Sequence, residues 1–372
     1  KLTVVRSVMV CAASPQPTAR PPPMQSLIES IARVTRSRQR DTLEASVIEV
    51  LAATVYPETL RLFRLVPVGN KMFVHCRVEA IGRQAPRLNP LPSRSGSLPP
   101  LELFPWVVDW FRQPSVAPIE YDRPQGSCYL FPISDGAQSC GWIEMEQARP
   151  LGAAERQVVS GLLAIYANHL SVIDYGERDS LTGLKNRKTF DDTFLRVLAD
   201  SHRMVPDDGE APPAHGVDES APPDGFWLGV VDIDHFKRIN DQFGHLYGDE
   251  VLVLLARQMR ESFRLADRLY RFGGEEFAVL LDRTPSVHSG EVFDRFRGRV
   301  EAHRFPQIGQ VTVSIGFTRI DAQDTPTRAF DRADAALYHA KRTGRNRVCS
   351  WDTLVQTGVV TQRAENWEAE LF

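Results

Sequence analysis

Val230-Val231-Asp232-Ile233-Asp234, and downstream of it Gly273-Gly274-Glu275-Glu276-Phe277, are the stretches on which the reading of this chain turns. The first is an apolar strand whose end delivers acids. The second reads as a hairpin turn, because glycine at both turn positions permits positive φ and lets a phosphate or a base approach the backbone without meeting a Cβ. Glu275 and Glu276 then stand at the start of a strand, where alternation sends their carboxylates to opposite faces. Each stretch alone is ordinary, a strand ending in a polar turn and a solvated hairpin. Side by side, Asp232 and one hairpin glutamate converge into an all-oxygen site suited to Mg²⁺ and a triphosphate. Two such ions would activate a hydroxyl and stabilise a leaving pyrophosphate, as in-line displacement at phosphorus requires.

Outward from this pair, the chain reads as helix from Asp179 to about Asp200, then a proline- and acid-rich loop from Val205 to Asp224. The strand Trp227 to Asp232 follows, then a helical stretch around Asp249 to Phe263 and two strands, Asp267 to Phe272 and Glu275 to Leu281. A further helix, the alternating strand of Val311, Val313 and Ile315, a helix from Thr327 to Arg342 and a last strand near Arg347 complete it. The implied architecture is α+β, with helices on one side of a largely antiparallel sheet.

The N-terminal half has a different texture. Apolar residues recur at helical spacing from Met24 to about Val55, predicting two amphipathic helices. Strand-like runs follow at Leu60 to Val68, Met72 to Val78, Ser127 to Ile133 and Cys140 to Met145, with a proline-rich loop from Pro86 to Pro100 between them. A long helix then starts near Ala153 and runs toward Glu177. Its Val159, Leu163, Tyr166, Leu170 and Ile173 alternate by four and three, which fits either a coiled-coil seam or a helix packed on its own domain. His75 beside Cys76 invites a metal or haem reading, but a lone His in an apolar strand is more often a packed core residue.

The chain has 372 residues, 42% of them hydrophobic, enough for two domains with buried cores. Its 44 basic and 47 acidic residues leave a formal charge of -3, so no global positive field marks a nucleic-acid binder. Any phosphate must be gripped locally. Cys11, Cys76, Cys128, Cys140 and Cys349 are scattered and lack C-x-x-C spacing, the pattern of free thiols in a reducing, cytoplasmic setting. The apolar stretch from Leu2 to Ala13 is short and broken by Arg6, a poor signal peptide, and no later segment reads as a membrane span. Residues 1–23 are expected to be a leader or extension, 24–149 a sensory domain, 150–178 a linker helix, 179–352 the catalytic domain and 353–372 a tail.

The run from Asp232 through Lys237, Asn240 and His245 to Gly248-Asp249, together with the Gly-Gly-Glu-Glu-Phe hairpin, closely resembles the GGDEF family of diguanylate cyclases. Asp179-Ser180-Leu181-Thr182-Gly183-Leu184, Asn186-Arg187, the run Val311 to Gly316, Ala340-Lys341 and Gly344-Arg345-Asn346 match it as well. The resemblance implies a ferredoxin-like palm, GTP as substrate and cyclic di-GMP as product, with Mg²⁺ (or Mn²⁺) as cofactor. Position by position, it implies that Asp232, the Ile233 carbonyl and Glu275 hold the metal, that Glu275 is the base for the 3′-hydroxyl, and that Glu276 is a second metal ligand. Asn240 and Asp249 would read the guanine edge, since adenine would leave these groups unpaired; capping or turn formation is their plainer role. Lys237, Lys341 and Arg345 would neutralise the triphosphate, Lys237 meeting the charge that develops in the transition state, with His245, Gly273 and Gly274 also at the nucleotide. The loop from Val205 to Asp224 is longer than the family's usual one.

Each domain in this family binds one GTP, so two copies must meet face to face, and a homodimer is part of the expected mechanism. Arg264-Leu265-Ala266-Asp267 resembles the family's R-x-x-D inhibitory site for cyclic di-GMP, with Arg295 resembling the second arginine that completes it; a local ion pair is the plainer reading. Residues 24 to 175 are similar to the GAF sensory family in their order of elements alone, and no motif names a ligand there. A module that binds GTP or cyclic di-GMP without turnover, and an adaptor acting through the N-terminal domain, are the alternatives to a cyclase.

Overall fold

The structure is a computed structural model that describes residues 29, 31, 32, 34–68, 71–92, 95–112, 118–124, 126–134, 139–202 and 225–360. The expected leader 1–23, the loop from Val205 to Asp224 and the end of the expected tail lie outside these residues.

Six strands form the N-terminal sheet: β1 (Thr59–Val68), β2 (Lys71–Ile81), β3 (Arg87–Leu88), β4 (Ile119–Arg123), β5 (Gly126–Ser134) and β6 (Ser139–Gln147). Their order is β3-β2-β1-β6-β5-β4, antiparallel throughout. The helices Arg40–Val55 and Ala153–Glu177 cover one face, and Leu98–Trp110 with the short helix Pro105–Arg112 covers the other. β4 and that short helix were not apparent from sequence, because exposed polar residues dominate β4.

The long helix resolves the choice left open above. Val159, Leu163, Tyr166, Leu170 and Ile173 are all buried, packed with Leu43, Val47 and Leu51 of the other helix and with Leu60 and Tyr129 of the sheet. They form a core within one chain and no coiled-coil seam. By length and mean hydropathy (1.2 over 18 residues) this same helix is long and apolar enough to cross a membrane, contrary to the expectation from sequence. Its apolar stripe is already occupied by the domain. Glu44, fully buried on the first helix, is paired with Arg64 and Arg77 of the sheet, so its charge is compensated where burial alone would be costly. His75 donates to the Asn89 carbonyl at 3.2 Å and its pKa is lowered by burial, as suits a packed histidine.

The second sheet contains β7 (Lys185–Asn186), β8 (Gly225–Ile233), β9 (Arg268–Gly273), β10 (Glu276–Thr284), β13 (Val313–Arg319) and β14 (Val348–Ser350); β11 (Arg304–Phe305) and β12 (Gly309–Gln310) pair separately. The order β14-β13-β8-β10-β9-β7 places β13, β8, β10 and β9 side by side as strands 4-1-3-2 of a βαββαβ unit, the ferredoxin-like arrangement. Pairs within that unit are antiparallel, while β14 and β7 add parallel edges.

Helices lie on both faces of this sheet, not on one as the sequence suggested. The crossover helices His245–Ser262 and Ser286–Ala302 pack on one side with Phe236 and Ile239, and Arg187–His202 and Pro326–Arg342 on the other. The cause is visible in β8, buried at all nine positions: a central strand with no polar face needs cover on both sides. The helix Trp351–Gln356 packs on Ala336 through Trp351 and Leu354, so the domain extends past the expected boundary at 352.

Candidate active site

β8 ends beside the turn that joins β9 and β10, and the register fixes which acids meet. Asp232 lies opposite Glu276 of β10 on one side and opposite Ser314 of β13 on the other. Cross-strand partners share a face, so Asp232 and Glu276 project together toward the helix Pro326–Arg342. Glu275 sits in the turn itself, one residue before the strand begins. The expectation that both glutamates start the strand on opposite faces is corrected accordingly. The turn needs its glycines, since Gly273 and Gly274 have φ of 149° and 52°.

Lys341, near the end of that helix, reaches Asp232 with Nζ 2.9 Å from Oδ2. Burial raises the Asp232 carboxyl to about 6; Lys341 lowers it, and the charges of Glu275 and Glu276 raise it further. Burial also raises Glu275. The cluster thus holds three carboxylates against one ammonium, and burial first, then the neighbouring carboxylates, disfavours ionisation of Asp232 and Glu275. Hard oxygen donors with excess negative charge suit Mg²⁺ or Mn²⁺, so the residues present fit the metal. Ile233 is the last residue of β8, registered against Val313 of β13. Among the described residues no group of three or more His, Cys, Asp or Glu side chains is close enough to hold a metal ion unaided.

Asn240 lies within the helix Phe236–Phe243, not in a polar break, and Asp249 is in the second turn of His245–Ser262, not at its start. Capping therefore explains neither. The two helices meet at Gly244, and Asn240 leans so close to Gly248 that a Cβ there would lie 1.9 Å from its Oδ1. Asp249, Lys237 and His245 are exposed, and so is Arg345 in the loop after Lys341.

Three contributors were not read from the sequence. Arg271 donates to the Gly274 carbonyl through Nε and Nη2 at 3.1 and 2.8 Å, and its Nη1 pairs with Asp179 at 3.0 Å. The turn that carries Glu275 is thereby tied to Asp179, two residues past the end of the long helix. Asp334, seven residues before Lys341 on the same helix face, is acted on by Glu276 and Lys341; the spacing alone would have exposed it. Asp234 is the third.

Arg264 and Asp267 lie at the far end of β9 from the glycine turn, roughly 20 Å away at strand rise. The Asp267 carboxylate accepts from the backbone N–H of Arg264 at 2.8 Å and of Asp282 at 3.1 Å. It builds a turn, and the local ion pair anticipated from sequence is replaced by these amide contacts. Arg264 is exposed at a cavity of about 390 Å³ that Pro67 and Val68 also line, and Arg295 is exposed on the helix Ser286–Ala302.

The family described as "Diguanylate cyclase, GGDEF domain" matches residues 221–347. Diguanylate cyclase DgcP of Pseudomonas aeruginosa is 40% identical over 173 residues, 46% of this chain and 23% of that protein. Probable diguanylate cyclase DgcC of Escherichia coli is 34% identical over 210 residues, 56% of this chain and 48% of that protein. The GGDEF domain of DgcB from Caulobacter crescentus, solved in complex with c-di-GMP, is 32% identical and covers 47% of this chain and 96% of its own, with a TM-score of 0.41. The chain thus spans less than half the length of these curated relatives. Its C-terminal half carries a GGDEF domain of the diguanylate cyclase type.

Proposed function

We propose that the chain is a diguanylate cyclase that condenses two GTP into cyclic di-GMP with release of two pyrophosphates. The observation that carries this is the meeting of Asp232 and Glu276 across β8 and β10, with Glu275 in the adjoining turn and Lys341 2.9 Å from Asp232. Asp232, Glu275 and the Ile233 carbonyl would hold Mg²⁺, with Glu276 beside them; when bound, the metal supplies charge for the phosphates and lowers the pKa of an attacking hydroxyl. Glu275, raised by burial, is suited to take the proton of the 3′-hydroxyl. Asn240 and Asp249 read guanine from the helix pair, and Lys237, Lys341 and Arg345 grip the triphosphate.

Two GTP-loaded domains must face each other, so the working form is a homodimer. The buried heptad positions leave Val172 and Tyr175, 68% and 85% exposed on the same helix, as the apolar groups available to a second copy. The N-terminal domain is read as a GAF-like sensor of unnamed input, on the strength of its helix–sheet–helix order. Product binding at Arg264, Asp267 and Arg295 is read as inhibitory. Cys76, Cys128 and Cys349 are free thiols, in keeping with a cytoplasmic setting. Incubation of the purified chain with GTP and Mg²⁺ should yield a product of the mass of cyclic di-GMP. Tight GTP binding without any cyclic product would assign a binding module instead.

A further inference from the structure

Asp234, the third of those contributors, holds neither metal nor nucleotide in the reading above, and its side chain is buried at 5% exposure. Oδ1 accepts from Ser314 Oγ at 2.6 Å; Oδ2 accepts from Thr312 Oγ1 at 2.6 Å and from the backbone N–H of Asn346 at 3.0 Å. Its own N–H donates to the Thr312 carbonyl at 3.0 Å. Every one of these donors is neutral. A carboxylate taken out of water is costly without such donors, and here both oxygens are already committed to protein donors.

The Asn346 contact holds an unusual piece of backbone. Gly344, Arg345 and Asn346 have φ of 121°, 61° and 46°, and two consecutive non-glycine residues in the left-handed region persist only where their surroundings enforce it. The enforcing contacts are few. Arg345 N–H donates to the Ala340 carbonyl at 3.0 Å, and the Asn346 side chain bridges Arg297 at 2.9 Å and Glu301 at 2.8 Å. Asp234, the residue that follows β8 and lies two beyond Asp232, supplies the one from that strand's end. One strand end therefore carries an acid for the metal and an acid for the loop.

We propose that Asp234 is a positioning residue for triphosphate binding: through the Asn346 amide it fixes the left-handed backbone of Gly344, Arg345 and Asn346 so that Arg345, with Lys341, faces the phosphate end of the site. This rests on the nucleotide reading of the site and adds to it the reason Arg345 is correctly placed. Asp234→Ala removes both accepting oxygens, whereas in Asp234→Asn the amide nitrogen can turn to the Ser314 hydroxyl, which accepts, and leave the oxygen serving Thr312 and Asn346.

The test is calorimetric binding of GTP and of guanosine, each with Mg²⁺, to the full chain as wild type, Asp234→Ala, Arg345→Ala and the double variant. Asp234→Ala should weaken GTP about tenfold, the scale of a lost hydrogen bond to a charged group, and leave guanosine within about twofold. In the Arg345→Ala background it should add little, because both changes act through one arginine. Equal loss of guanosine and GTP, or additive losses of GTP affinity, would overturn the proposal. If Asp234→Ala does not fold, Asn346→Ala loosens the same loop from the other side and must show the same split. Binding is read without turnover, so a failure to make cyclic di-GMP would sink the cyclase reading while leaving this result standing.

Discussion

Replacing Leu163 by Ala separates a helix that packs within one domain from a helix that zips two chains together. Leu163 is 3% exposed, in contact with the core that includes Leu43, Val47 and Tyr166. Truncation removes about three buried carbons at about 0.8 kcal/mol each and leaves a cavity, for a total loss of about 3 to 5 kcal/mol. With a urea slope of about 1–3 kcal/mol/M, the unfolding midpoint of the N-terminal domain should fall by 1 M or more, on the order of that loss divided by the slope. The C-terminal domain has its own core, so a second transition should stay in place. Tyr175→Ala is the control. At 85% exposure it should change stability by less than about 0.5 kcal/mol while lowering association in sedimentation. The reasoning is refuted if Leu163→Ala unfolds at the wild-type urea concentration and instead shifts the monomer–dimer balance.

Acid pH should weaken metal binding through Asp232. Its folded carboxyl titrates at about 6, against about 3.9 in an unfolded chain, so the metal-free protein gains stability as pH falls from about 6 toward 4. Protons then compete with Mg²⁺, and its affinity at pH 5 should be about tenfold below that at pH 7; an equally steep fall in Asp232→Asn would contradict this. Glu275→Ala should abolish cyclic di-GMP formation with the circular dichroism unchanged, since a turn acid contributes little stability. Arg271→Ala frees the Gly274 carbonyl and Asp179 together, and should lower kcat with the fold retained; a normal kcat would show that the turn keeps its shape unaided. Arg264→Ala should relieve product inhibition with little change in initial rate, whereas Asp267→Ala should also destabilise by about 1–3 kcal/mol by stranding two backbone amides. Equal inhibition of wild type and Arg264→Ala would reduce the segment to a structural turn.

Local chemistry was legible in the sequence. Two glycines before two acids specify a tight turn whatever surrounds them, an apolar run ending in Asp232 specifies a strand end, and a helix through Lys341 follows from its apolar spacing. The strands β1, β2, β5 and β6 were legible for the same reason, because their residues alternate or run apolar over a length no loop would keep. What remained open depended on partners distant in the chain. Heptad spacing on Ala153–Glu177 is the same whether the stripe meets a second chain or Leu43 and Val47, and only the placement of the leading helix decides between them. Strand registry, which periodicity leaves undetermined, set Glu276 opposite Asp232 and left Glu275 in the turn. Asp234 and Arg271 looked like an acid and a base on strand ends. Their roles come from Asn346 and from Asp179, residues about a hundred positions away that the sheet brings within hydrogen-bond reach. A side chain's type and local spacing are written along the chain, but the partner that neutralises or directs it is a property of the closed fold.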